Sequence, residues 1–182
     1  MKYIIKHIPN ILTMANMLSG LTAILLIIQW EHTLKPLIIT ALILFGAIAD
    51  FFDGYIARKL NATTAAGKQL DSFADLITFG IAPFVFVNYT AARDYYAVVA
   101  ISSFIFVSAG AYRLVRYNLG DFRDKFIGLP ITAAGSLLTV YCAVYPKWRE
   151  YLPPEICVAV TVLFIFLLSY LMVSKKKKRD NL

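Results

Sequence analysis

Four aspartates lie where charge is costly. Asp50 and Asp53 belong to Asp50-Phe51-Phe52-Asp53-Gly54-Tyr55-Ile56-Ala57-Arg58, and Asp71 and Asp75 to Gly67-Lys68-Gln69-Leu70-Asp71-Ser72-Phe73-Ala74-Asp75. Both segments run in or beside apolar sequence. One Asp at the centre of a membrane helix opposes insertion by about 2.5–3.5 kcal/mol, so four bare carboxylates need a neutralising partner. Asp50 and Asp53 are spaced i,i+3 and Asp71 and Asp75 i,i+4, which puts each pair on one face of its helix. Oxygen ligands without Cys or His favour a hard cation such as Mg²⁺, usually shared with substrate phosphates. Four carboxylates suit two divalent ions, and a two-metal site stabilises both the attacking and the leaving oxygen of an in-line displacement at phosphorus. Phosphoryl transfer is the chemistry these residues point to.

The neighbours fit a phosphorylated substrate. Gly54 and Gly67 leave room for a bulky ligand beside the backbone, and Arg58 can neutralise a phosphate bidentately. Small residues also line ordinary helix contacts in membranes, so the glycines carry less weight than the acids.

The elements that must position these residues are membrane helices. Of 182 residues, 59% are hydrophobic and 16% charged, against about half and a quarter in soluble domains. Nearly charge-free windows fall at about 8–29, 36–58, 69–90, 95–117, 129–146 and 155–174, each close to the length that spans a bilayer. The expectation is an all-α integral membrane protein of six transmembrane helices, with a catalytic domain over 1–174 and a basic cytoplasmic tail over 175–182. The first window is too long for a cleaved signal and lacks a small-x-small site, so it counts as a span. The connection Lys59 to Ala66 is short enough for an antiparallel hairpin that brings all four acids together near its cytoplasmic end. No internal repeat of the transporter kind is present.

Basic residues set the expected orientation. Lys2, Lys6, Arg58, Lys59, Lys68, Arg113, Arg116, Arg123, Lys125 and the run Lys175 to Arg179 fall on one side, against Lys35, Arg93, Lys147 and Arg149 on the other. Both termini and the acids are therefore expected on the cytoplasmic side of the cell membrane. The tail run supplies most of the formal +7 charge and reads as a topology anchor that also attracts anionic headgroups. The basic residues sit at helix ends without a nucleic-acid-binding fold between them, and no nucleic-acid partner is expected. Cys142 and Cys157 lack paired spacing and read as buried free thiols. Trp30, Trp148 and Tyr151 read as interfacial anchors, and His7 and His32 as surface residues.

Read together, Asp50, Asp53-Gly54, Ala57-Arg58, Gly67, Asp71 and Asp75, with eight residues between Arg58 and Gly67, resemble the signature of the CDP-alcohol phosphotransferases. The resemblance implies a six-helix membrane fold, usually homodimeric. It also implies transfer of a phosphatidyl group from a CDP-linked lipid to an alcohol, with release of CMP. Asp50, Asp53 and Asp71 would hold two divalent ions, Mg²⁺ or Mn²⁺. Asp75 would join the second ion and serve as general base. Gly54, Ala57, Arg58 and Gly67 would shape the CDP pocket, together with Thr13 and Asn16.

Further stretches look like the phosphatidylserine synthase branch of that family: Thr13-Met14-Ala15-Asn16, Asp71-Ser72-Phe73-Ala74-Asp75, Arg113-Leu114-Val115-Arg116-Tyr117-Asn118, Phe126-Ile127-Gly128-Leu129-Pro130 and Ser169-Tyr170-Leu171-Met172-Val173-Ser174. Phosphatidylglycerophosphate synthases tend to carry Pro-Leu-Ala where this chain has Ser72-Phe73-Ala74. The branch implies CDP-diacylglycerol and L-serine as substrates. Serine carries a carboxylate, and Arg113 and Arg116, with Asn118 and Ser72 as polar partners, are the expected groups for it or for a lipid phosphate. Two rivals remain at this level. One is the same chemistry on glycerol phosphate, inositol phosphate or an archaeal CDP-lipid. The other is a cation channel or carrier, which explains the acids but not the arginines beside them.

Overall fold

In the computed structural model the described residues are 8–29, 35–60, 62–91, 95–119 and 128–174, and they are almost entirely helical. Lys2, Lys6, His7, Trp30, His32, Arg93, Arg123, Lys125, Phe126, Ile127 and the tail 175–182 lie outside them. Helix α1 spans Ile8–Gln29, α2 Lys35–Lys59 and α3 Ala65–Asp75. A π-helical segment, Leu76–Ile81, runs on into α4, Ala82–Ala91. The remaining helices are α5 Tyr96–Leu119, α6 Ile131–Arg149 and α7 Pro154–Val173. Taking α3, the π segment and α4 as one continuous span, the helices fall where the six apolar windows predict.

Among the described residues, five spans are long and apolar enough to cross a bilayer: Pro9–Gln29, Lys35–Lys59, Ala65–Ala91, Tyr96–Leu119 and Pro154–Val173. The sixth, α6, has 19 residues and is more polar, with Thr132, Ser136, Thr139 and Lys147 among its apolar positions. The large side chains of the bundle divide into two sets. Phe79, Phe86, Phe106, Ile39, Ile43, Leu138, Ile165 and Leu168 are fully buried between helices, whereas Leu18, Leu25, Ile28, Leu37, Phe45, Ile48 and Leu163 face outward. An outward apolar belt has no cost where the solvent is lipid.

Away from the acids, several buried hydroxyls are satisfied within their own helices. Ser103 donates to Val99 O at 2.6 Å, Thr139 to Gly135 O at 2.8 Å, Thr161 to Cys157 O at 2.8 Å and Ser169 to Ile165 O at 2.8 Å. Bonding back to the i−4 carbonyl keeps a hydroxyl paired at a depth where water is absent.

Two local features set the bundle end that carries the acids. Thr64 caps α3, its hydroxyl accepting from Gly67 N at 3.0 Å. This moves the start of the third span to Ala65, ahead of its apolar window, because a cap depends on one hydroxyl and not on hydropathy. Gly128 has φ +73° and lies against the end of α7, where a Cβ would fall 2.6 Å from both Leu171 O and Met172 O. Leu129 N then donates to Leu171 O at 2.9 Å, and Pro130 leads into α6.

Candidate active site

The α2–α3 hairpin carries two acids on each arm. One carboxylate oxygen from each of Asp50, Asp53 and Asp71 lies within 4.8 Å of the other two. Asp75 adjoins them: Asp50 is within hydrogen-bonding reach of both Asp71 and Asp75. Asp53 and Asp75 are 4% and 8% exposed, and Asp50 and Asp71 are half-buried. Carboxylates this close repel one another unless a proton or a cation lies between them.

Three of the four are held by a neutral donor from another helix. Thr13 Oγ1 on α1 is 2.6 Å from Asp53 Oδ2, and it also lies 3.0 Å from Pro9 O. One turn further along α1, Asn16 Nδ2 donates to Asp75 Oδ1 at 3.4 Å. From α6, Thr132 Oγ1 donates to Asp50 Oδ2 at 3.2 Å. Asp71 Oδ1 is buried with no hydrogen-bond partner among the described residues. A buried acceptor with no donor, beside two more carboxylate oxygens, is the donor set a hard divalent cation needs. The residues therefore fit the metal that the sequence calls for.

Close helix approach aligns α1 with the acids. A Cβ on Gly46 of α2 would lie 2.7 Å from Ser19 Oγ and 2.8 Å from Asn16 Oδ1, so only glycine lets α1 sit near enough for Asn16 to reach Asp75. Thr78, in the π segment, donates to Asn16 O at 2.9 Å. The π segment begins immediately after Asp75, and the extra residue in its turn rotates the rest of the span relative to the acids.

A cavity of about 500 Å³ opens on the cluster, lined by Thr13, Asp53, Gly54, Ala57, Arg58, Gly67, Asp71 and Asn118, with Pro9, Asn10, Thr64, Lys68 and Tyr117 among the rest. Gly54 lies on the wall beside the guanidinium: a Cβ there would stand in ordinary contact, 3.5 Å from Arg58 Nη1. Asn16 is fully buried behind the carboxylates and turned to Asp75 rather than lining the cavity. Ser72 accepts from Asn118 Nδ2 at 2.8 Å, joining α3 to the end of α5.

Arg113 and Arg116 separate. Arg116 Nη1 donates to Val173 O at 3.2 Å and the guanidinium stacks over Tyr112, 5.7 Å from the ring centroid. That ties α5 to the last turn of α7. Arg113 is electrostatically coupled to Asp75, and its buried Nε has no hydrogen-bond partner among the described residues.

Several cavity and contact residues are not singled out for a role by the sequence alone: Asn10, Thr64, Lys68, Tyr117 and Thr132. Lys68 sits between the motif positions Gly67 and Asp71, and that adjacency is the available clue. Thr132 has none, because a single hydroxyl in an apolar helix ordinarily bonds its own backbone.

A polytopic helical bundle with buried carboxylates over a cavity, flanked by Arg58 and Lys68, defines a membrane-embedded enzyme that handles an anionic group. Residues 6–173 match the model of the CDP-alcohol phosphatidyltransferase family, and the chain belongs to that family. It is 36% identical over 176 residues to the CDP-diacylglycerol–serine O-phosphatidyltransferase of Bacillus subtilis (strain 168), covering 94% of this chain and 89% of the relative. It is 32% identical over 169 residues to the enzyme of the same name from Helicobacter pylori (strain ATCC 700392 / 26695), covering 91% and 69%. To the archaetidylserine synthase of Methanothermobacter thermautotrophicus it is 33% identical over 167 residues, covering 90% and 69%.

Proposed function

We propose that this chain transfers the phosphatidyl group of CDP-diacylglycerol to the hydroxyl of L-serine, giving phosphatidylserine and CMP. The observation that carries the reading is the meeting of Asp50, Asp53 and Asp71 within 4.8 Å at a cavity that also holds Arg58 and Lys68. Likeness to enzymes named for serine transfer, over 94% of the chain in one case, supplies the acceptor.

Asp50, Asp53 and Asp71 would hold two divalent ions, Mg²⁺ or Mn²⁺, with Asp75 joining the second. Such ions, when bound, neutralise charge on the diphosphate oxygens. The chain's own groups do the rest. Gly54, Ala57 and Gly67 leave space for the CDP moiety, and Arg58 and Lys68 balance its charge. Thr13, on the cavity wall, steadies Asp53, and Asn16, one layer back, steadies Asp75. Arg113 receives the serine carboxylate, with Asn118 and Ser72 as polar partners. Asp75 accepts the proton of the serine hydroxyl as its oxygen bonds to the β-phosphorus. The bond from that phosphorus to the oxygen of CMP breaks, and CMP leaves against Arg58. The acyl chains stay in lipid throughout, so the donor enters laterally.

We place the site and both termini on the cytoplasmic side of the cell membrane, from the distribution of Lys and Arg. We further propose a homodimer whose catalytic domain spans 1–174, with the basic tail 175–182 as an anchor. A cation pathway is disfavoured by the buried hydroxyls of Ser103, Thr139 and Thr161, each engaged by its own helix. An archaeal CDP-lipid is a second donor reading, favoured by the archaetidylserine synthase relative.

The test is to incubate purified protein with CDP-diacylglycerol, Mg²⁺ or Mn²⁺, and labelled L-serine, glycerol phosphate or inositol phosphate in turn. CMP and a lipid product are expected with serine. Turnover with either phosphate in place of serine overturns the acceptor, and a parallel set with an ether CDP-lipid separates the donors. Cation flux from protein-loaded vesicles without CMP release would instead establish the channel.

A further inference from the structure

Thr132 belongs to no motif, yet its hydroxyl crosses from α6 to Asp50 Oδ2. Asp50 is one of the three carboxylates whose oxygens meet within 4.8 Å, so its rotamer is one determinant of the spacing of the cluster. Asp53 and Asp75 are each steadied from α1 by Thr13 and Asn16. For Asp50 the donor from another helix is Thr132. The hydroxyl is itself located from two sides. Thr132 lies in the first turn of α6, whose entry is pinned to the end of α7 by Leu129 N on Leu171 O and by the left-handed Gly128. The far end of that chain of contacts, Val173 O, is held by Arg116.

We infer that Thr132 is a positioning residue, whose hydroxyl fixes the orientation of Asp50 and thereby sets the affinity of the carboxylate cluster for a divalent cation. This rests on the metal reading of the cluster. A hydrogen bond to a ligating carboxylate restricts it to the ligating rotamer, and loss of such a partner typically costs 10–100-fold in metal affinity. The hydroxyl does not touch the cavity that receives the substrates, so the effect belongs to metal affinity and turnover and not to serine binding.

The experiment titrates the full-length detergent-solubilised protein with Mn²⁺, following loss of the free-ion paramagnetic resonance signal, with kcat and serine KM measured in parallel. Thr132→Val keeps the shape and removes the donor; Thr132→Ser keeps the donor. Thr132→Val should weaken Mn²⁺ binding by roughly 10-fold or more with serine KM unchanged, and Thr132→Ser should bind as the parent does. Parent-like Mn²⁺ affinity in Thr132→Val overturns the positioning role alone, as does equal weakening in both variants. If Thr132→Val is not recovered folded, Thr132→Ala against Thr132→Ser makes the same comparison. Absence of Mn²⁺ binding in the parent overturns the metal reading itself, and the inference with it.

Discussion

At the scale of the residue, similar side chains in this site have different work because their partners differ. Asp75 accepts from Asn16 and feels the charge of Arg113, whereas Asp71 offers an oxygen with no partner among the described residues to the cluster. Asp75→Asn is accordingly expected to lower kcat by about 10²–10⁴-fold, the usual worth of a positioned general base, while Mn²⁺ binding at the Asp50, Asp53 and Asp71 oxygens, measured by resonance, persists and only the ion that Asp75 joins is weakened. Parent-like turnover would remove Asp75 from the role of base. The two arginines should part in the same way. Arg113→Ala should raise serine KM, while Arg116→Ala should leave KM alone and lower the thermal unfolding midpoint by freeing the end of α7.

Legibility at this scale tracks the cost of being wrong. An aspartate in an apolar run is expensive, so Asp50, Asp53, Asp71 and Asp75 announce themselves. A hydroxyl in the same place is cheap, and nothing in the sequence separates Thr132, which reaches Asp50, from Thr139, which bonds its own helix. The i,i+3 spacing of Arg113 and Arg116 suggests one shared task. Residues three apart are still some 60° apart around the helix, enough for one to face Asp75 and the other the end of α7.

At the scale of the element, helix positions were legible because hydropathy and length both report on a bilayer. Departures from regularity were not. The π segment after Asp75 adds a residue to a turn without altering the apolar character of Leu76–Ile81, so no count of hydrophobic residues reveals it. The approach of α1 to α2 was not legible: Gly46 belongs to no motif, and its contact with Asn16 emerges only in three dimensions. Gly46→Ala should destabilise the protein by about 1–3 kcal/mol, the usual cost of overpacking, read as a lower unfolding midpoint in detergent. Because the added methyl meets Asn16 Oδ1 at 2.8 Å, kcat should fall as well. A variant that is less stable yet fully active would uncouple α1 from Asp75.

At the scale of the whole molecule, metal and fold should be linked, since the cluster joins α2 and α3 and is braced by α1 and α6. Chelation should abolish CMP release, and Mg²⁺ or Mn²⁺ should restore it. At a hundredfold excess over its dissociation constant, a cation that binds only the folded state stabilises it by about 2.7 kcal/mol. A rise in unfolding midpoint on adding Mn²⁺ checks this, and Asp50→Asn should blunt it.

Both native thiols, Cys142 and Cys157, are 0% and 3% exposed in α6 and α7. Impermeant maleimides should therefore find almost nothing to label on the parent protein. A single reporter cysteine would then map sidedness without stripping the native ones: Tyr151→Cys, at a residue 84% exposed after α6, or Ser174→Cys, at the opposite end of α7. In intact cells an external reagent should modify the Tyr151→Cys protein and spare the Ser174→Cys protein, and the reverse pattern would invert the orientation.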